Sequence, residues 1–132
     1  MIKKFENFKN NPIIEYYDND KKKIEHYYYN GQKNFENWYL NDKFHRENGP
    51  ARQYWYISGQ KLYEEWYLNG LIHREDGPAY QTWYENGQIQ HKIWYLNDKI
   101  YEYKDWIKKL KKIGSPHYEE QKILFNAEKY NI

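Results

Sequence analysis

Residues 64–91 read EEWYLNGLIHREDGPAYQTWYENGQIQH, and residues 36–63 read ENWYLNDKFHRENGPARQYWYISGQKLY. The two strings align without a gap, so the chain carries a 28-residue unit, and a third copy begins at Lys92 with KIWYLNDKI. A fixed period of this kind marks a repeat architecture, in which each unit is one supersecondary element stacked on the next. Turn dipeptides supply the ruler: Asn19-Asp20, Asn30-Gly31, Asn41-Asp42, Ser58-Gly59, Asn69-Gly70, Asn86-Gly87 and Asn97-Asp98, in steps of 11, 11, 17, 11, 17 and 11. Asn, Asp and Gly tolerate positive φ, which two-residue hairpin turns demand. The ruler therefore predicts tight hairpins at 30–31, 41–42, 69–70, 86–87 and 97–98, and almost no helix before residue 100.

An 11-residue step holds one strand and one turn. A 17-residue step holds six residues more. In the second unit, residues 71–74 read as a short strand, Glu75-Asp76-Gly77-Pro78 as a turn, and Ala79 to Glu85 as the returning strand. Phe44 to Arg46, Glu47-Asn48-Gly49-Pro50 and Ala51 to Ile57 repeat that reading. Proline removes one ladder donor and so marks a strand start. About ten short strands follow, joined as an antiparallel meander. Trp38, Trp55, Trp66, Trp83 and Trp94 keep the same ruler, with steps of 17, 11, 17 and 11. Their repeat positions predict that Trp66 and Trp94 are more buried than Glu64 and Lys92. Alternation puts large aromatics on both faces, which leaves open whether the sheet is a single layer or curls onto itself.

The pattern stops after Ile100. Residues 102–112, EYKDWIKKLKK, read as a helix with Trp106, Leu110 and Ile113 on one stripe and Ile107 beside it. Gly114 suits its C-terminal cap, and Ser115-Pro116 suits the start of a second helix running to about Tyr130. The expected class is mainly β, an antiparallel meander of β-hairpin repeats with a C-terminal helical cap. Residues 1–101 form the repeat domain and 102–132 the cap. The stripe is expected to pack on the last repeat, with Lys108, Lys109, Lys111 and Lys112 toward water.

Composition narrows the function. Aromatic residues make up 21% of the 132, which decides against disorder despite a mean hydropathy of −1.31, because tyrosine lowers that index and still packs. The chain has no cysteine, so it holds no disulfide framework and no thiolate metal site. No signal peptide and no membrane-length apolar stretch is visible, which gives a cytoplasmic expectation. The net charge is +2; residues 1–101 carry 14 basic and 14 acidic side chains, so no strongly cationic nucleic-acid surface is evident.

The strings WYLNGLIHREDGPAYQTWYENGQ and WYLNDKFHRENGPARQYWYISGQ resemble the variant MORN-type repeats of giant viruses and phages. The shorter YYxNG and WYxNG half-units resemble bacterial antitoxin-type MORN variants. The resemblance covers roughly residues 12–101. Asp42 and Asp98 depart from it where glycine is usual, as does Ser58 where asparagine is. It implies a β-hairpin repeat fold, a binding or scaffolding role and a viral setting, and it supplies no catalytic residue.

His45-Arg46-Glu47 and His73-Arg74-Glu75-Asp76 occupy equivalent positions and are the candidate binding residues. Guanidinium groups in a row suit carboxylate or phosphate. The competing reading is structural: Arg and Glu pair within or between units, and His bonds a turn. Histidines one repeat apart do not converge as zinc requires, so no metal and no cofactor is expected. The only serines, Ser58 and Ser115, fall in a turn and at a helix cap, so no enzyme is expected. The reading is a non-enzymatic repeat protein that binds or scaffolds a protein partner. A peripheral membrane module using Lys108 to Lys112, an antitoxin-like neutraliser and a homo-oligomer stay open as rivals.

Overall fold

A computed structural model describes residues 12–130. Its strands are β1 (Ile13–Tyr17), β2 (Lys22–Tyr29), β3 (Gln32–Leu40), β4 (Lys43–Phe44), β5 (Arg52–Trp55), β6 (Lys61–Glu65), β7 (Tyr67–Leu68), β8 (Leu71–Ile72), β9 (Tyr80–Trp83), β10 (Ile89–Leu96) and β11 (Lys99–Tyr101). Two helices follow, α1 (Tyr103–Lys112) and α2 (Tyr118–Tyr130). The main sheet is open and antiparallel, in the order β1-β2-β3-β5-β6-β9-β10-β11, with β4 also on β3 and β7 paired with β8. The chain is mainly β, a meander closed by two C-terminal helices.

Four of the turn dipeptides behave as expected. Asn30-Gly31, Asn41-Asp42, Asn69-Gly70 and Asn97-Asp98 have positive φ at both positions, between 48° and 82°. That is the mirror-image turn whose twist matches two paired strands. Asn86-Gly87 is a correction. Only Gly87 has positive φ, the Tyr84 N–H donates to the Gln88 carbonyl and Gly87 N–H to Tyr84, so the loop has three residues rather than two. Ser58-Gly59 closes the same way, through Tyr56 and Gln60. The Gly ends a three-residue loop with a bulge, which places Asn86 and Ser58 at ordinary negative φ.

The six extra residues of each long step build a second row of hairpins. Residues 35–37 of β3 pair with β5, whereas Tyr39 and Leu40 pair with β4. β6 pairs with β9, and the chain then continues as β7, which pairs with β8. β10 pairs with β9 through Ile93 and with β11 from Trp94. A tryptophan stands at each change of partner. Trp38 N–H donates to Ala51 (2.7 Å) while its carbonyl accepts from His45 (3.0 Å); Trp66 does the same with Ala79 (2.7 Å) and His73 (2.9 Å). Ala51 and Ala79 are fully buried there. Successive short hairpins are tied by Gly70 N–H to Phe44 (2.8 Å) and Asp98 N–H to Ile72 (2.9 Å).

The two faces of the main sheet differ. On one, Tyr27, Phe35, Tyr54, Tyr63 and Tyr80 form a row across five strands, with neighbouring ring centroids 3.9, 4.7, 4.6 and 6.0 Å apart. The rings are half-buried and lean on each other, each pair contributing about 0.5–1.5 kcal/mol beyond area. Their faces are taken up by neighbouring rings. Burial holds the Tyr67 phenol up at about 12, helped by its bond to Glu65. The opposite face carries Trp38, Trp66 and Trp94 and is covered by the His-Arg-Glu loops and by α1.

The largest apolar cluster lies at the C-terminal end: Leu96, Trp106, Ile107 and Leu110, ringed by Trp94, Tyr101, Tyr103, Tyr118 and Phe125. Trp106 and Leu110 are fully buried, and Tyr103 stacks on Trp94 at 4.3 Å. Lys108, Lys111 and Lys112 are exposed and Lys109 is half-buried. Ile113 departs from the expected stripe and is 46% exposed. It is the C-terminal cap of α1, beyond the last helical turn, and Gly114 follows it at φ 70°.

Candidate functional site

The candidate residues sit on two equivalent loops, 45–50 and 73–78, over the tryptophan face. In each, the arginine lies flat on the tryptophan of its own unit: Arg46 is 3.9 Å from the Trp38 ring and Arg74 3.7 Å from Trp66. The Arg46 Nη1 donates to the Pro50 carbonyl (3.3 Å), and Arg74 Nη1 to that of Pro78 (3.1 Å). The glycine of each loop closes the sandwich. A Cβ on Gly49 or Gly77 would fall 2.7 or 2.8 Å from the guanidinium carbon, closer than real contacts allow. The motif string is thus one packing unit: Trp below, Arg between, Gly above, Ala in the sheet.

Each guanidinium faces a buried carboxylate, Glu36 at 3.9 Å from Arg46 and Glu64 at 3.7 Å from Arg74. Burial raises the Glu36 pKa, but hydrogen bonds from Lys33 and Gln53, with the Trp38 indole N–H nearby, outweigh it and hold the group at about 2. Gln53 donates to it at 2.6 Å and Lys33 at 2.9 Å. Glu64 accepts from Lys61 (3.1 Å) and from Trp66 Nε1 (3.2 Å). The expected order of burial fails here: Glu64 is 8% exposed and Trp66 only half-buried. Residues two apart on a strand share a face, and that face is the covered one. The expected order holds for the third unit, where Lys92 is exposed and Trp94 partly buried.

The histidines wire one unit to the next. His45 Nδ1 accepts from the Asn69 N–H (2.9 Å), and His73 Nδ1 from Asn97 (3.1 Å). Each ring therefore steadies the hairpin turn of the following unit, and its Nε2 is left as a donor. In the second loop that donor meets Glu75 at 2.8 Å. In the first, Glu47 stays 3.8 Å away and His45 Nε2 has no hydrogen-bond partner among the described residues. The Glu47 side chain is 75% exposed against 29% for Glu75.

The helices cause that difference. Trp106 Nε1 donates to the Arg74 carbonyl (3.2 Å), and Gln121 Nε2 to that of Asp76 (3.1 Å). Burial raises the Glu75 pKa, but hydrogen bonds from His73 and Ser115 and the nearby His117 outweigh it and hold the group below the usual range. Asp76 also accepts from Arg74 Nε at 2.8 Å. No helix touches the first loop in this way among the described residues.

Two grooves flank the loops. One of about 520 Å³ lies on the N-terminal side of the first loop, between Tyr17 and Lys22 on one wall and Trp38, His45 and Asn48 on the other. The other, about 420 Å³, lies between the loops, and Pro116 and His117 close part of it. Glu47 and Asn48 line both. The structure thus brings His45, Arg46 and Glu47 to one groove and His73, Arg74, Glu75 and Asp76 to the next. The buried Glu36 and Glu64 were missed by sequence reasoning, although their identical place before each tryptophan was a signal. Among the described residues no cluster of three or more histidine, aspartate and glutamate side chains is placed to hold a metal ion. No helix among them is long and apolar enough to cross a membrane. Ser58 lies in a hairpin loop, and Ser115 Oγ accepts from the His117 N–H. No protein-family model, no curated protein and no solved structure matches the chain.

Proposed function

We propose that the chain is a non-enzymatic, MORN-like repeat module that holds a protein partner in the grooves beside its first loop. One observation carries this reading. Two loops of nearly identical sequence share the same internal wiring, yet the tail covers the second and leaves the first open, with Glu47 and Asn48 exposed at both grooves. The arginines are occupied by their tryptophans and proline carbonyls, so recognition falls to the exposed rim rather than to a free guanidinium row. The viral and host-cytoplasmic setting belongs to the same proposal and rests on the WYLNG-x-x-HREDGPA string.

The test is affinity capture from the native cell with three baits: the wild-type chain, Asn48→Trp, which wedges both grooves, and Ile57→Trp at the far end of the sheet. The expected result is a partner held by wild type and Ile57→Trp and lost by Asn48→Trp at unchanged melting temperature. Equal capture by all three baits contradicts the proposal. A membrane-surface reading has its own support: Ile113, Ile123 and Leu124 are 46%, 67% and 46% exposed on a tail that carries seven lysines. Sedimentation with anionic vesicles at low and high salt separates the two, since basic residues lose membrane affinity with screening.

A further inference from the structure

We infer that the first groove receives a helical segment of the partner, whose leading turn sets a cation and a hydroxyl against Glu47 and closes Glu47 onto His45. This partner chemistry rests on the reading above, that the first loop is the open one. The second loop supplies the template, because its groove is already filled by such a segment. Pro116 and His117, just before α2, line that groove, and Ser115 and His117 stand beside the Glu75 carboxylate. Gln121, in the first turn of α2, donates to the Asp76 carbonyl at 3.1 Å. Glu75 is folded inward there, 29% exposed, and accepts from His73 Nε2 at 2.8 Å.

The first loop has the same parts without the occupant. His45 Nδ1 accepts from the Asn69 N–H, so Nε2 carries the proton. The side chain is 9% exposed, and Nε2 finds no acceptor among the described residues. A buried donor without an acceptor is costly. Glu47 Oε1 stands 3.8 Å away, on a side chain that is 75% exposed. The acceptor is thus already in the chain, and what is missing is the group that holds it inward. The Asn48 carbonyl, counterpart of the one that Gln121 reaches, lies on the same loop tip.

Charge selects that group. Of the charged side chains lining the first groove, Asp18 and Lys22 pair with each other at 3.3 Å. Arg46 lies on the Trp38 ring and donates to the Pro50 carbonyl. Glu47 has no cation within hydrogen-bond distance among the described residues. A helix begins with unpaired N–H groups and the positive end of its dipole, so its leading turn suits a carboxylate. A basic side chain on that turn adds charge, and a hydroxyl adds a donor, as Ser115 does for Glu75. An acidic segment reaching for His45 Nε2 would instead meet Glu47 at the same place and be repelled.

Calorimetric titration of the full chain with two synthetic peptides tests this. Each peptide is residues 113–130 of the chain, the segment that fills the second groove, one with His117→Lys and one with His117→Glu. The His117→Lys peptide should bind at least about tenfold tighter, and the gap should shrink with salt. In the full chain, Glu47→Gln should remove the gap, whereas Glu75→Gln, at the groove already filled, should leave it. Proton NMR should show the His45 Nε2–H exchanging more slowly with water once the His117→Lys peptide is added. Circular dichroism checks that each variant keeps the wild-type sheet. Equal affinity of the two peptides, tighter binding of the His117→Glu peptide, or no binding of either overturns the inference. So does a gap that survives Glu47→Gln or one that Glu75→Gln removes. The reading of the first loop as the partner's place fails separately, if the Asn48→Trp bait captures the partner as well as wild type does.

Discussion

Loops 45–50 and 73–78 differ in sequence by one residue, Asn48 against Asp76, yet they live in different surroundings. Both hold an arginine on a tryptophan, a glycine over the arginine and a histidine under the next hairpin. Only the second receives Trp106 and Gln121 and closes its His73–Glu75 contact. The shared contacts come from the repeat and hold the fold. The unshared ones come from the tail and decide which loop meets solvent. Structural roles recur with the unit, and a role that does not recur points to a particular place in the array.

The largest way to disturb this contrast is Trp106→Ala. The ring is fully buried and bonded to the second loop, so the loss should be about 3–5 kcal/mol by chemical denaturation. The first loop should keep its structure in the fraction that remains folded. Next come the arginines. Arg74→Ala should cost about 3 kcal/mol and Arg46→Ala about 2, because each strips a desolvated cation–π contact and leaves a buried carboxylate less well paired. Arg74 also loses Asp76 at 2.8 Å, which sets the order. Equal costs would show that the two loops are energetically the same.

Acid gives a third, smaller handle. The folded Glu36 pKa of about 2 lies below its ordinary 4.5. A depressed carboxylate contributes stability that is complete above pH 4.5 and is lost as pH falls through 2. Glu36→Gln should flatten part of that acid-side decline in urea midpoints, and an unchanged decline would mean the carboxylate is not paired in solution. Glu75 is depressed as well and shifts stability in the same direction, whereas Glu47 is mostly exposed. The smallest contrast is therefore Glu75→Gln, at about 1 kcal/mol, against Glu47→Gln, within about 0.5.

The ruler of turn dipeptides made the meander legible, because Asn-Gly and Asn-Asp have few other uses between apolar strands. The helix at Trp106 was legible from its stripe for the same local reason. Three features were not. The second row of hairpins depends on a strand changing partners at Trp38, Trp66 and Trp94, and periodicity does not encode partner choice. The burial of Glu64 depends on the loop that folds back over it, while a glutamate in a strand reads as a wet position. The unlike fate of the two loops depends on the tail, which lies 30 residues or more from Arg74 to Trp106 in the chain. For the candidate site, equivalence of the two triplets was visible, and the structural wiring was one of two readings on offer. The open groove beside His45 was not visible, because it forms where the first, shorter steps leave out a covering loop.

Hydrogen exchange read by mass spectrometry, on peptides spanning 45–50 and 73–78 of the full chain, tests the contrast most directly. The expected result is exchange at least about tenfold slower in 73–78, since bonds from Trp106 and Gln121 to its carbonyls resist local opening. Trp106→Ala should shrink that gap. Equal rates in the two loops, or slower exchange in 45–50, would contradict the claim that the tail seals one loop and leaves the other open.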